Sequence, residues 1–374
     1  MNDIVLFQEL LCDNGKKVGI ATLNSERSLN ALSGDMIEAL YPQLNSWHDD
    51  EDIAAVFLQG AGEKAFCAGG DIVNLYNAMK DHSGDYSPEV EEYFTKEYRL
   101  DYLIHTFNKP FIVWGTGIVM GGGLGMMVGA SHRVVTETSR IAMPEISIGL
   151  YPDVGGTWFL NRMPDQCGLF LGLTGASINA ADAKYTGMAD FFILAEKKQA
   201  LLDGLKTVNW GNTVALNHDK LSNLMHDLEL VSNAKLPVSH VRAQSALIEQ
   251  VMDFDNIAGI VNAIVSADVE DPWFNKAQKS LKHGSAVSGH LVYRQLNSGK
   301  NMSLVDCFRM ELNLSVKCGQ FGEFAEGVRA LLIDKDYSPK WKYSSIADVD
   351  PGIINWFFES KWQDDEHPLA DLGG

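Results

Sequence analysis

The chain has no Cys-x-x-C pair. Its cysteines are few and odd in number, five in 374 residues, at positions 12, 67, 167, 307 and 318. That scatter suggests neither a disulfide framework nor a zinc site, and a reducing compartment is expected. No apolar run reaches about eighteen residues, the length a spanning helix needs. The opening MNDIVLFQELLCDNGKKVGI also lacks a basic stretch ahead of a long apolar one. The chain therefore reads as cytoplasmic, without a membrane partner. Positive charge is scarce as well: 30 Lys and Arg stand against 49 Asp and Glu, a formal net charge of -19. Nucleic acid and anionic membrane would repel such a surface.

Several cofactor and nucleophile motifs are missing too. There is no G-x-x-x-x-G-K-[ST], no H-E-x-x-H and no G-x-S-x-G. The glycines of GTGIVMGGGLG miss the dinucleotide pattern G-x-G-x-x-G, because Met120 and Met126 stand where its last glycine is required. No metal site and no redox or nucleotide cofactor is expected, and a serine hydrolase is disfavoured.

What is present is a large apolar fraction, 46%, enough to bury a substantial core. From Val18 to about Asp190, β-like runs (VGIATL, IAAVFLQG, PFIVWGTG, RVVTE) alternate with helix-like segments, the pattern of a mixed α/β layered domain. From about Ala195 the β-like runs thin out, and stretches such as LVDCFRMELNLSVKCG carry apolar residues at helical spacing. The expected organisation is a core over residues 1–195 and a mostly helical region over 196–374. The polar stretch DHSGDYSPEVEE, 81–92, reads as a loop or mobile connector.

Two glycine-rich stretches each follow a β-like run: KAFCAGGD, 64–71, and MGGGLGMMVG, 120–129. A strand that ends in glycines and turns into a helix leaves backbone N–H groups free at the helix start, where an anion is also favoured. Two such turns facing each other would form an oxyanion-type donor pair for an acyl thioester. Read alone, they are equally tight turns that let elements approach closely. Two acids stand out in MPEISIGLYPDVGG, 143–156: Glu145 and Asp153, in otherwise apolar, glycine and proline surroundings. Sharing one pocket, they could have their pKa values driven apart, one acting as base or nucleophile and the other handling a proton. As isolated acids they would be caps or turn formers. Cys67 reads as a small buried packing residue, and His105 and His132 as satisfied structural histidines.

Taken together, FCAGGD (Phe66 to Asp71), GGG (Gly121 to Gly123), NSERSLNAL (Asn24 to Leu32) and MPE…PDVGG resemble the crotonase, or enoyl-CoA hydratase/isomerase, superfamily. The resemblance implies a spiral of ββα units followed by helices, often assembled as trimers or hexamers. It implies an acyl-CoA substrate, with Gly70 and Gly122 as oxyanion-hole donors and Arg27, Ala68, Asp71 and Asn77 near the substrate or coenzyme A. Hydratases of this family usually carry a second glutamate two positions after GGG, where this chain has Gly125, and commonly glycine where it has Asp153. That exchange is similar to a subgroup that hydrolyses short, branched 3-hydroxyacyl-CoA thioesters, in which Glu145 would activate water or attack the thioester and Asp153 would bind the 3-hydroxyl or assist proton transfer. Where the subgroup carries an acid six places after Asp71, this chain has Asn77. A hydratase or isomerase acting on another acyl-CoA is the alternative, and a non-catalytic acyl-CoA-binding protein the third reading.

Overall fold

Uninterrupted apolar runs decide where the central strands fall. IAAVFLQG is a strand over its whole length, Ile53–Gly60, buried at seven of eight positions, as expected where both faces of a parallel strand are covered. The computed structural model describes residues 3–82 and 84–373. Its strands are β1 (Val5–Leu11), β2 (Lys17–Leu23), β3 (Ile53–Gly60), β4 (Ala65–Cys67), β5 (Phe111–Gly115), β6 (Ile118–Met120), β7 (His132–Val135), β8 (Arg140–Ala142) and β9 (Phe191–Phe192). Six form one sheet in the order β1-β2-β3-β5-β7-β9, and three form another in the order β4-β6-β8. Only β1 and β2 in the larger sheet pair antiparallel, Phe7 opposite Ala21; the pairs that follow are parallel.

Parallel neighbours need crossovers. Up to β7 these are supplied by α1 (Gly34–Asp49), α2 (Ile72–His82), α3 (Pro88–His105) and α4 (Gly122–Gly129). After Phe192 no described residue is in a strand, and long helices dominate, among them Val214–Ser232 and Leu304–Phe321. The mixed α/β character and the helical C-terminal half therefore match the expectation. No described helix is long and apolar enough to cross a membrane.

The chain divides into two compact units. The first comprises Met1–Gly70, Leu100–Ile141 and Ile178–Ser239. Its core is built on the larger sheet, where Val18, Phe57, Ile112 and Trp114 pack with Leu201, Leu205 and Met225. The second comprises Asp71–Arg99, Ala142–Ser177 and His240–Gly374 and is almost wholly helical. Among its core residues are Phe94, Tyr98, Phe308 and Phe324, all buried, with Phe94 and Tyr98 rings 5.7 Å apart.

The stretch 81–92 differs from the loop expected of it. Asp81 and His82 close α2, and α3 begins at Pro88. Ser-Pro-Glu is a helix start: the Ser87 hydroxyl accepts from the Val90 amide at 3.4 Å, proline is tolerated in the first turn, and Glu89 and Glu91 favour the helix N-terminus. Residue 83 lies outside the described residues.

Candidate active site

The segment MPEISIGLYPDVGG is held in an irregular path by local backbone chemistry. Pro144 leads into a 3-10 turn, Glu145–Ile148, which ends at Gly149 in the left-handed conformation, φ 72. Val154 also has positive φ, 51, a conformation that costs a β-branched residue on the order of 1–3 kcal/mol and persists only where neighbours over-determine it. Here they do. Glu311, on the Leu304–Phe321 helix, accepts from the Gly155 amide through Oε2 at 2.7 Å and from the Thr157 amide through Oε1 at 2.8 Å. Gln295 donates to the Pro152 carbonyl at 2.6 Å and to the Thr157 hydroxyl at 2.9 Å. This clamp sets the direction of Asp153 at the turn leading into α5 (Gly156–Leu160).

Both expected acids are buried, each 4% exposed, and both belong to the second unit. Asp153 Oδ2 lies 2.7 Å from the Tyr98 hydroxyl. That hydroxyl is 2.7 Å from Ser315 Oγ, which is 2.8 Å from the Tyr151 hydroxyl, and Tyr151 donates to the Glu311 carbonyl at 2.5 Å. Glu145 Oε2 is buried with no hydrogen-bond partner among the described residues. A third acid joins the pair: Glu97, on α3, is 2% exposed.

Burial and mutual repulsion act on all three. Desolvation pushes Glu145 well above the usual carboxylate range, with the charges of Asp153 and Glu97 adding to it. Desolvation, then Asp153, does the same to Glu97. Burial raises Asp153 from 3.8 to about 6, against the lowering effect of a hydrogen bond from Tyr98. Glu311 is raised to about 8 by burial despite its two amide donors. Three carboxyls that cannot all ionise together, one with an unoccupied oxygen, form a site able to hold a proton and present a base side by side. Among the described residues no group of three or more His, Cys, Asp or Glu is placed to share a metal ion.

The two glycine turns lie side by side in the first unit. Strands β4 and β6 run parallel, with Cys67 opposite Val119, so both turns leave the same end of the small sheet. Gly69 has φ 114, and a Cβ there would sit 3.5 Å from the Met120 carbonyl; a Cβ on Gly123 would meet the Cys67 carbonyl at 2.3 Å. Only glycine permits that approach at 123. Gly122 is the first residue of α4 and is buried. Gly70 is bridged in parallel to Leu32, whose amide donates to the Gly69 carbonyl at 2.8 Å.

The remaining expected positions are more exposed. Arg27 is exposed on a 3-10 turn, Glu26–Ser28. Ala68 is half-buried, and its amide donates to the Leu29 carbonyl at 3.1 Å. Asp71, half-buried, is engaged by Asn74, whose side-chain amide donates to Oδ2 at 2.6 Å. Asn77 is exposed on α2. Cys67 and His132 fit their structural reading: Cys67 is buried, and His132 lies between Ser131 Oγ at 3.0 Å and Ser222 Oγ at 3.1 Å.

Sequence reasoning missed Glu97, Tyr98, Tyr151, Glu311 and Ser315. One signal was available. Val90, Phe94 and Glu97 fall at i, i+4 and i+7 on the buried stripe of α3, and an acid in such a stripe is there for a partner or a reaction. Likewise Glu311 and Ser315, four residues apart, lie on the buried face of their helix.

Comparison with known proteins bears on this geometry. Residues 18–358 match the model of a family described as Enoyl-CoA hydratase/isomerase. The mitochondrial 3-hydroxyisobutyryl-CoA hydrolase of Danio rerio is 39% identical over 358 residues, covering 94% of this chain and 90% of that protein. A crystal structure of an enoyl-CoA hydratase from Rhodobacter sphaeroides 2.4.1 superposes with a TM-score of 0.82 at 30% identity, covering 96% of this chain and 98% of that one. One of a carnitinyl-CoA dehydratase from Mycobacterium thermoresistibile gives 0.85 at 30% identity, covering 100% of both.

Proposed function

The chain belongs to the enoyl-CoA hydratase/isomerase family, and from that premise we propose that it hydrolyses a short, branched 3-hydroxyacyl-CoA thioester, 3-hydroxyisobutyryl-CoA, to 3-hydroxyisobutyrate and free coenzyme A. The observation that carries this reading is the pairing of Glu145 with Asp153 in one buried acidic site, in a chain whose position two residues after GGG is Gly125 rather than glutamate. The 39% identity to a hydrolase of that substrate over nearly the whole chain supports it.

In this reading the amides of Gly70 and Gly122 stabilise the thioester oxygen as it gains charge. Glu145 acts at the carbonyl carbon in one of two ways. It takes a proton from water, which adds to the carbon, or it adds directly, forming a mixed anhydride as the C–S bond breaks; water then cleaves the anhydride and returns the carboxylate. Either way the departing sulfur takes a proton and one water is consumed. Asp153 binds the 3-hydroxyl or passes that proton. Arg27, Ala68, Asp71 and Asn77 belong to the substrate side of the proposal, with coenzyme A entering as part of the substrate and no further cofactor required. The five buried cysteines, none of them in a disulfide, suit a reducing compartment, which the cytoplasm and the mitochondrial interior both are. Self-association as a trimer or hexamer is a further part of the proposal, readable by sedimentation.

The similarity to an enoyl-CoA hydratase structure supports a second reading, hydration of an enoyl-CoA. A thiol-release assay across acyl-CoAs with and without a 3-hydroxyl, run beside enoyl-CoA hydration, separates the two. Release from 3-hydroxyisobutyryl-CoA should dominate, and Glu145→Gln should lose about 10²–10⁴-fold in turnover while still binding acyl-CoA. Hydration faster than thiol release would overturn the hydrolase reading.

A further inference from the structure

We infer that the hydroxyl chain Tyr98–Ser315–Tyr151 is arranged to keep a proton on Asp153. The argument is a count of hydrogens. Asp153 Oδ2 to Tyr98 is 2.7 Å, Tyr98 to Ser315 2.7 Å, Ser315 to Tyr151 2.8 Å, and Tyr151 to the Glu311 carbonyl 2.5 Å. All four links have O–H···O length, and each needs one hydrogen. The carbonyl at the far end brings none. Tyr98, Ser315 and Tyr151 bring one each, which makes three for four links.

With Asp153 ionised, one link is two oxygens facing each other without a hydrogen between them. Tyr98, Tyr151 and Ser315 are each fully buried, so such a contact has no water to relieve it and carries the full cost of an unsatisfied polar pair. Turning any hydroxyl around moves the empty link without filling it. A proton on Asp153 Oδ2 fills it: Asp153 donates to Tyr98, Tyr98 to Ser315, Ser315 to Tyr151, and Tyr151 to the carbonyl, all in one direction.

The same choice bears on the neighbours. Six titratable groups feel a charge on Asp153: Glu97 and Tyr98 from α3, Glu145 from its 3-10 turn, the nearby Tyr151, and Glu311 and Cys318 from the Leu304–Phe321 helix. A neutral Asp153 removes its repulsion from each of them, while burial continues to hold the Glu145 carboxyl, its Oε2 without a partner, above the usual carboxylate range. Tyr98, Ser315 and Tyr151 are positioning residues here, acting through Asp153. What the proton is used for rests on the hydrolase reading; where it resides does not.

The test needs no substrate. Protein labelled with aspartate carrying ¹³C at the side-chain carboxyl is titrated by NMR, with the Asp153 resonance assigned by its absence in Asp153→Asn. In the unaltered protein Asp153 should stay protonated to about pH 6 or beyond. Ser315→Ala removes two links and one hydrogen, so an ionised Asp153 then fits and its midpoint should fall by about one pH unit. Tyr151→Phe should act in the same direction and serves if Ser315→Ala does not fold, while Ser315→Thr, which keeps the hydroxyl, should restore the midpoint. Tyr98→Phe withdraws the donor that an ionised Asp153 would use, so its midpoint should rise. A midpoint near the ordinary aspartate value in the unaltered protein, or one that Ser315→Ala and Tyr151→Phe leave in place or raise, would overturn the inference.

Discussion

Replacing Asp153 by asparagine should stabilise the protein at neutral pH while abolishing most of its turnover. Asp153 is 4% exposed, and burial raises its pKa from 3.8 to about 6. An acid whose pKa is higher in the folded chain than in the unfolded one binds protons more readily when folded. Its stabilising contribution is therefore complete below the unfolded value and is lost as pH rises through the folded one. The rise of roughly two pH units corresponds to about 3 kcal/mol, at about 1.36 kcal/mol per unit, forfeited by the wild type above pH 6. Asparagine does not titrate. Its amide nitrogen can donate to Tyr98 as a protonated acid would, so the hydroxyl chain stays filled. Urea unfolding of both proteins between about pH 4 and pH 8 is the assay: the two stabilities should diverge through this window, Asp153→Asn ending higher by about 3 kcal/mol and losing less as pH rises. A gap that stays constant across the window would refute the reasoning, because it would mean that Asp153 ionises in the fold as easily as in the unfolded chain.

Two further outcomes follow from the geometry. Gly122→Pro removes the amide assigned to the thioester oxygen and should cost roughly 2.7–4 kcal/mol of transition-state stabilisation, about 10²–10³ in kcat, with smaller loss of affinity for a ground-state analogue and less harm from Gly122→Ala; near wild-type turnover in a folded proline variant would remove Gly122 from the site. Glu311→Ala orphans the buried amides of Gly155 and Thr157, each worth about 1–3 kcal/mol, so denaturant unfolding should register a loss of about 2–6 kcal/mol; a loss below about 1 kcal/mol would show that the clamp around Val154 and Asp153 is dispensable.

Much of this protein was written in short-range pattern. The runs that become β3 and β5 are legible because a strand covered on both faces is apolar nearly throughout. The glycine turns are legible because close backbone approach, as of residue 123 to the Cys67 carbonyl, excludes any side chain. Glu145 and Asp153 stood out as acids in apolar company. The helix start at Ser87-Pro88 was written too, in capping chemistry, but the polar composition around it masked the signal.

Periodicity could not say which polar atoms would meet. Tyr98, Tyr151 and Ser315 lie up to 217 positions apart in the chain, yet join in one line of hydroxyls. The segments Asp71–Arg99, Ala142–Ser177 and His240–Gly374 gather into one unit although the chain leaves that unit twice between them. Local sequence sets backbone conformation and which face is buried, because those depend on neighbours a few residues away. The number of hydrogens available between Asp153 and the Glu311 carbonyl, and with it whether Asp153 keeps a proton, depends on side chains brought together by packing, and so the tertiary structure alone decided it.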